Sequence, residues 1–329
     1  MNILVTGGTG FIGKSLVTEL IKNNEFNIRV FARKPLENYN VAWSQQVNSV
    51  QGDLKDRESI SRAVHGVDIV IHLAAQLGSW WAKKEVYYEA NVQGTEALVE
   101  ESQREDIQQF IYLSSCGVFG TLNKFPADES HPCNPRYEYE KAKYKAEQLV
   151  NKAISKGFPA TIIRPSHVYG PGDLNTVPLL KLLQQTHFFP LINGGKSLFQ
   201  PVYIDDLMAG IIKCISNRKT VRGKTFIFAG EEVITFKQYI ALIASLMNIS
   251  ITTVSLPFLL AKSVAIFSES LAKIMNNEPI LTNFRVDFFG GSQYYNIQRA
   301  KEDLKYSPQI GIEQGMRNAM IWYRQMNLL

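Results

Sequence analysis

The feature that most limits the fold lies at residues 6 to 13, where the chain reads Thr6-Gly7-Gly8-Thr9-Gly10-Phe11-Ile12-Gly13. Asn-Ile-Leu-Val-Thr at residues 2 to 6 has the apolar run of a buried strand, and Lys14 to Asn23 has the spacing of a helix. A strand that passes through glycines into a helix is the setting a phosphate-binding turn requires. Gly7 or Gly8 turns the chain tightly, Gly10 lets backbone N–H groups approach an anion, and Gly13 lets the helix pack on the strand. The helix dipole adds positive potential at the same place, so residues 7 to 13, with Thr9, Phe11 and Ile12 among them, form a candidate anion site. A plain glycine-rich turn is the alternative, and the position one strand from the start argues against it.

Strand-like runs recur at Ile3 to Thr6, Ile28 to Ala32, Val47 to Gln51, Ile69 to Leu73, Phe110 to Ser114 and Ala160 to Arg164, and helical patterns such as Asn91 to Arg104 separate them. This alternation predicts an α/β fold, a doubly wound parallel sheet of the Rossmann type. At 329 residues the chain exceeds what one core usually serves. The expected division is a Rossmann domain at 1–165 and a smaller, mainly substrate-binding domain at 166–329. The two are expected to interleave, because a strand near 225–229 can return to the sheet.

Apolar residues make up 45% and charged residues 20%, values that exclude wholesale disorder. The formal charge of +5 is small for this length and the basic residues are scattered, so nucleic acid is not an expected partner. Cys116, Cys133 and Cys214 make neither a CxxC pair nor an even framework, which suits a reducing, cytoplasmic compartment. The five histidines show no metal-ligand spacing, so no metal is expected. A strand already at residues 2 to 6 leaves no room for a leader ahead of it. Residues 238 to 261 carry no charge, but Asn248, Ser250, Thr252, Thr253, Ser255 and Pro257 divide them. A helix, then a strand, then a helix start is expected there rather than a membrane span.

About twenty residues beyond Gly13, where a carboxylate would accept the ribose hydroxyls of NAD, the chain reads Phe31-Ala32-Arg33-Lys34. The Arg33 guanidinium could pair bidentately with a 2′-phosphate, which makes NADP(H) the preferred cofactor and NAD the second choice. A solvated Arg-Lys pair is the other reading. Asp53, at a strand end and followed by Leu54, could accept from an adenine amino group or cap a turn.

Residues 135 to 152 form a helical pattern with two Tyr-x-x-x-Lys pairs, Tyr137/Lys141 and Tyr139/Lys143. Ala142, Lys143, Ala146 and Val150 share a face with Tyr139, a small and apolar surface suited to a sheet, whereas the other pair lies beside Lys145, Gln148 and Lys152. Tyr139 and Lys143 are therefore the pair expected against the core. A phenol titrates near ~10. An ammonium roughly 5 Å away, at an effective dielectric near ~20, favours its anion by about 3 kcal/mol, about a hundredfold in acidity. That makes Tyr139 a candidate proton-transfer group, with a packed tyrosine beside a snorkelling lysine as the competing explanation. Leu113-Ser114-Ser115-Cys116-Gly117 runs a strand out into hydroxyls and glycine, at the end where ligands of open α/β sheets sit. Ser115 could hold a reacting oxygen there, or cap the strand end.

Taken together, these residues make the chain resemble the extended short-chain dehydrogenase/reductase family over nearly its whole length. The likeness rests on the glycine turn, Ile71-His72-Leu73-Ala74-Ala75, Asn91, the Ser114-Ser115 strand end, Tyr139-x-x-x-Lys143, Arg164 to Pro171 and Val202 to Leu207. It implies Tyr139 as acid/base, Lys143 as its electrostatic partner and Ser115 as the substrate-oxygen ligand. It also implies Leu73, Ala74 and Ala75 along the cofactor, Pro165, His167 and Val168 beside the nicotinamide, and a homodimer.

Cys116-Gly117 replace the acidic pair of sugar-nucleotide dehydratases, and His167 and Phe199 stand where epimerases carry an Asn and an Arg. The run from Pro279 to Pro308 and the loop Gln76 to Trp80 look like the 3β-hydroxysteroid dehydrogenase-like branch, which includes sterol, dihydroflavonol-type and β-keto acid reductases. Gln76, Trp80, Ser115 and Phe199 are thus expected at the substrate. Trp81, Phe188, Phe189 and the segment Leu256 to Phe267 offer further apolar lining, with core packing as the alternative for each. The implied activity is hydride transfer between a nicotinamide and a secondary alcohol or ketone of a largely apolar small molecule. A sugar-nucleotide epimerase and a non-catalytic cofactor-binding regulator are the competing readings.

Overall fold

A computed structural model describes residues 1–78, 82–279 and 281–329. Its centre is a seven-stranded, all-parallel sheet built from β1 (Asn2–Thr6), β2 (Asn27–Ala32), β3 (Asn48–Gln51), β4 (Ile69–His72), β5 (Gln109–Leu113), β6 (Ala160–Pro165) and β7 (Thr225–Phe228). The spatial order is 7-6-5-4-1-2-3, so the strand expected to return after the first half does so, alongside β6. Each strand expected from the sequence is present.

The helices that cover this sheet are α1 (Phe11–Leu20), α2 (Arg57–Val64), α3 (Gly94–Arg104), α4 (Glu138–Ile154) and α5 (Ile204–Ser216). Because both faces are covered, the strands are nearly continuous apolar runs rather than alternating ones. Ile3 and Val5 join a core with Leu16 and Val17 of α1 and Leu207 and Ile211 of α5. Leu4, pointing the other way, joins Ile60 of α2, Leu98 of α3 and Val150 of α4. Each fully buried side chain of this kind contributes about 1.5–3 kcal/mol. Strand order reverses between β1 and β4, and the crevice beyond their carboxyl ends is where such sheets take ligands.

α4 starts at Glu138, later than the sequence pattern, because Tyr137 forms its N-cap. Glu140 folds back there, its carboxylate accepting from the N–H groups of Arg136 at 2.9 Å and Tyr137 at 3.2 Å. The buried face of α4 holds Ala142, Lys143, Ala146, Glu147 and Val150. Beyond β6, Phe188–Ile192 pairs in parallel with Thr252–Leu256. The uncharged run at 238 to 261 is divided into helix Phe236–Leu246, that strand, and the start of α6 (Phe258–Met275). Among the described residues no helix is long and apolar enough to cross a membrane. α6 packs on α7 (Asn283–Gly290), with Ala261, Ala265, Val286 and Ile192 buried between them.

Candidate active site

Of the two glycines offered for the tight turn, Gly7 makes it, at φ +72°. A Cβ on Gly7 would lie 2.6 Å from the Ala74 nitrogen, so the chain leaving β4 crosses directly over the turn. A Cβ on Gly13 would lie 2.0 Å from the Gly7 carbonyl oxygen, which fixes the third glycine by helix-on-turn packing. Gly10 differs: its Cβ would meet only that same oxygen, at 3.4 Å, and its outer side is open. The Gly10 N–H closes the turn on the Gly7 carbonyl at 3.0 Å. The N–H groups of Phe11, Ile12 and Gly13 have no partner among the described residues, and this first turn of α1 has neither a side-chain cap nor an acidic residue. Donors of this kind, kept clear by a glycine, fit the pyrophosphate of a dinucleotide.

A buried hydrogen-bond relay holds the β4 end against that turn. The Ala74 N–H donates to Thr6 Oγ1 at 3.3 Å, and Thr6 Oγ1 lies 2.7 Å from His72 Nδ1. On the other side of the ring, Nε2 lies 2.9 Å from Thr95 Oγ1, whose hydroxyl donates to the Asn91 carbonyl at 2.6 Å. Since Thr95 spends its proton on Asn91, Nε2 carries the ring proton and Nδ1 accepts from Thr6. Burial, and after it the charge of Lys143, pushes His72 down to about 3, so the ring is neutral. Asn91 sits in a widened helical turn, Tyr88–Gln93, and grips the Gln76 backbone: its Oδ1 accepts at 2.6 Å and its Nδ2 donates at 3.1 Å.

Leu73, Ala74 and Ala75 therefore lie along the glycine turn, while Gln76 is held by its main chain and stays off the pocket described next. Trp80 and Trp81 lie outside the described residues. Arg33 is exposed just past β2 and has no ion pair among the described residues. Asp53 caps a turn, its Oδ1 accepting from the Lys55 N–H at 3.0 Å, and Leu54 packs on Gly94, where a Cβ would lie 2.7 Å from the leucine's own.

Beyond the carboxyl ends of β5 and β6, Ser115, Tyr139, Pro165 and His167 line one pocket, and Phe284 and Phe288 of α7 supply an apolar wall. Ser115 Oγ accepts from the Gly117 N–H at 3.0 Å, capping the short turn Cys116–Phe119. The cap uses an acceptor position and leaves the hydroxyl proton available to an oxygen in the pocket. Tyr139 is half-buried, and its hydroxyl has no hydrogen-bond partner among the described residues. Val168 is half-buried next along the chain and pairs with Val202.

Lys143 departs from the expectation drawn from spacing. Its ammonium donates to the Leu113 carbonyl and lies 4.3 Å from the Tyr112 ring centroid. Burial pushes it down to about 7, opposed by the Glu147 charge. Tyr139 moves the opposite way from the sequence argument: burial, then the Glu140 charge, raises it to about 12. Desolvation sets the direction for both groups, which the i, i+4 geometry alone could not reveal. Beneath the pair, the buried Glu147 carboxylate accepts from Ser114 at 2.5 Å and from Arg164 at 2.5 and 3.2 Å, tying α4 to the ends of β5 and β6.

Several expected lining residues lie elsewhere. Phe199 is 3% exposed and packs behind the pocket, its ring 5.5 Å from His167 and 6.1 Å from Phe288, so it stands in the core rather than at the substrate. Phe189 is buried in the same aromatic cluster, Phe188 is exposed, and Leu256 to Phe267 runs along the outside. Conversely, sequence reasoning missed Arg136 and Asp287, and it set Tyr137 beside Lys145, Gln148 and Lys152, away from the core. All three line the pocket, with the Tyr137 hydroxyl donating to Asp287 at 2.5 Å and Arg136 pairing with it at 3.0 Å.

A serine and a tyrosine lining one pocket, and a glycine turn with open N–H groups at the start of α1, are features shared with the short-chain dehydrogenases and reductases. Residues 3–229 match the model of the NAD dependent epimerase/dehydratase family, and the chain belongs to that family. It is 28% identical to the decarboxylating sterol-4-alpha-carboxylate 3-dehydrogenase of Schizosaccharomyces pombe, over 98% of this chain and 97% of that one. It is likewise 28% identical to the 2-alkyl-3-oxoalkanoate reductase of Shewanella oneidensis, over 95% and 84% of the two chains. A crystal structure of UDP-glucuronic acid 4-epimerase from Bacillus cereus in complex with NAD superposes with a TM-score of 0.78 over 99% of both chains; at 23% identity that likeness speaks for the fold. The chain is an enzyme of the extended short-chain dehydrogenase/reductase type, in its 3β-hydroxysteroid dehydrogenase-like branch.

Proposed function

We propose that this enzyme transfers hydride reversibly between NADP(H) and a secondary alcohol or ketone on a largely apolar small molecule. The observation that carries the reading is the shared pocket, lined by Ser115 and Tyr139 together with the apolar Phe284 and Phe288. The relatives named for sterol and 3-oxoalkanoate chemistry support an apolar substrate of that kind.

In this reading residues 1–165, rejoined by the strand near 225–229, bind the cofactor, and 166–329 mainly shape the substrate side of a cytoplasmic homodimer. The N–H groups of Phe11, Ile12 and Gly13 hold the pyrophosphate, and Gly7, Gly8, Thr9 and Gly10 shape the turn around it. Arg33 takes the 2′-phosphate, which favours NADP(H) over NAD. Asp53 and Leu54 border the adenine, Leu73 to Ala75 run along the dinucleotide, and Pro165, His167 and Val168 flank the nicotinamide. When bound, the cofactor supplies or accepts the hydride. Ser115 donates a hydrogen bond to the substrate oxygen and orients it. Tyr139 gives its phenolic proton to that oxygen during reduction and takes it back during oxidation. Lys143 stabilises the charge left on the phenol.

Mixing the enzyme with NADPH and ketones of graded chain length tests the reading. Expected is a loss of reduced nicotinamide in proportion to ketone. Tyr139→Phe should lower turnover at least about a hundredfold with NADPH affinity nearly kept. Unchanged turnover in that variant would remove Tyr139 from the mechanism. Recycling of the cofactor without net consumption would favour an epimerase instead.

A further inference from the structure

Two carboxylates line the pocket, Glu140 and Asp287, and the structure uses them differently. Asp287 is occupied at both oxygens. Its Oδ2 takes the Tyr137 hydroxyl at 2.5 Å and Arg136 at 3.0 Å, and its Oδ1 pairs with Lys262 at 2.6 Å. Glu140 is occupied at one. Its Oε2 accepts both N–H groups of the α4 cap, whereas its Oε1 has no hydrogen-bond partner among the described residues. Burial raises Glu140, against those two N–H bonds and the Arg136 charge, which makes it a stronger base than a carboxylate in water.

Gly117 shows where the open oxygen stands. A Cβ built on it would lie 3.2 Å from Ser115 Oγ, 3.3 Å from Glu140 Cγ and 3.6 Å from Glu140 Oε1. The carboxylate therefore fills the space that a side chain at 117 would take, and glycine keeps that space open. Those distances hold Oε1 within about 7 Å of the Ser115 hydroxyl. A ketone bonded to that hydroxyl carries the carbon next to its carbonyl about 5 Å away, which leaves about 3 Å for a base beyond it. The neighbouring groups are unsuited to take a proton there: Tyr139, at about 12, already holds one, and Lys143 is turned to the Leu113 carbonyl.

We infer that Glu140 is the base of a second activity in this pocket, enolising a bound ketone by taking a proton from the carbon next to the carbonyl. The inference rests on the proposed reaction at one point, that Ser115 and Tyr139 hold the ketone oxygen. The C–H bond breaks toward Glu140 Oε1, and its electron pair becomes the carbon–carbon double bond. The carbonyl π pair moves onto oxygen, which takes the Tyr139 proton. The reverse steps restore the ketone. Substrate and enol have the same oxidation state, so no hydride is exchanged and the nicotinamide is a bystander. The proton on Oε1 is open to the pocket and trades with solvent while the enol waits. The class of substrate is any ketone of the proposed reaction with a hydrogen on the adjacent carbon.

The test places the full chain and NADP⁺, which has no hydride to give, in deuterium oxide with 2-octanone, 2-decanone or 2-dodecanone. Proton NMR follows the methylene beside the carbonyl. One of its two hydrogens should be replaced faster than without enzyme, because a base fixed on one side reaches one of them. Glu140→Gln keeps the shape and the acceptor of the α4 cap. It should lower exchange at least about a hundredfold, with NADP⁺ affinity and thermal midpoint near those of the wild type. Exchange retained in that variant overturns the inference. If the variant melts early, the wild type decides: loss of both hydrogens at equal rates overturns the inference, since no fixed base would then be choosing. NADPH consumption is read on the same ketones. A ketone reduced without exchange overturns the inference and leaves the proposed reaction standing, one that exchanges without reduction does the reverse, and absence of both with every ketone removes both.

Discussion

Replacing Glu147 with glutamine separates the electrostatic part of the site from its scaffold. The Glu147 side chain is fully buried, and its charge opposes the burial that brings Lys143 to about 7. The two side chains lie one helical turn apart, about 6 Å between charges. At an effective dielectric near ~20 their attraction is about 3 kcal/mol, worth about two pH units in the lysine's titration. Glutamine keeps the shape and can still bond Ser114 and Arg164, but Arg164 is left without its counter-charge and repels Lys143 as well. Because the proposed reaction needs the ammonium, the profile of kcat/KM for NADPH, which reports groups of the cofactor-free enzyme, should fall as pH rises through about 7 in the wild type. In Glu147→Gln that limb should move about 1–2 pH units lower. Breaking a buried pair also costs about 3–5 kcal/mol of stability, so the profile is taken well below the variant's midpoint. A variant that melts earlier but keeps its alkaline limb in place would refute the argument, because a scaffold role alone lowers stability without moving a titration.

Arg33→Ala should weaken NADPH about ten- to a hundredfold in direct titration, the range of a hydrogen bond to a charged group, and leave NADH nearly unchanged; equal losses for both would reassign the cofactor to NAD. His72 binds its proton near 3 in the folded protein against 6.5 ordinarily. Between those values only the unfolded chain is protonated there, so stability falls with pH by about 1.4 kcal/mol per pH unit. Denaturant melts at pH ~6.5 and ~5 should differ by about 2 kcal/mol more in the wild type than in His72→Gln, and equal differences would place the acid sensitivity elsewhere.

The β–α alternation was legible because parallel strands buried on both faces are plain apolar runs, and the glycine turn because its steric demands are local. Rotation about α4 put Tyr139 and Lys143 inward for the same reason: Ala142, Ala146 and Val150 mark the buried face at every fourth residue. The pocket's far wall was not legible. α7 reads Asn-Phe-Arg-Val-Asp-Phe-Phe-Gly, with apolar residues on every side, so periodicity offers no face to assign. The bonds from Asp287 to Tyr137 and Arg136 span about 150 residues of chain and exist only once the second half folds back. Leu256 to Phe267 misled in the other direction. Apolar composition says that a segment avoids water in bulk, yet it does not say whether protein or something outside the protein covers it.

Spacing alone made Lys143 a cation that acidifies Tyr139, and the structure reverses that sign in the cofactor-free enzyme by desolvating both groups. At about 12 the phenol holds its proton throughout the physiological range. A group in that state is ready to donate and poorly placed to accept. An alkoxide forming on a ketone is a far stronger base than a phenolate, so it draws the proton from Tyr139 despite the raised value, whereas oxidation of an alcohol must first ionise the phenol against desolvation. Lys143, close to neutrality, can lend its charge most cheaply at the moment the phenolate appears. The same burial that removes the simple electrostatic argument thus biases the pair toward carbonyl reduction, and oxidation should gain with rising pH only until Lys143 gives up its proton.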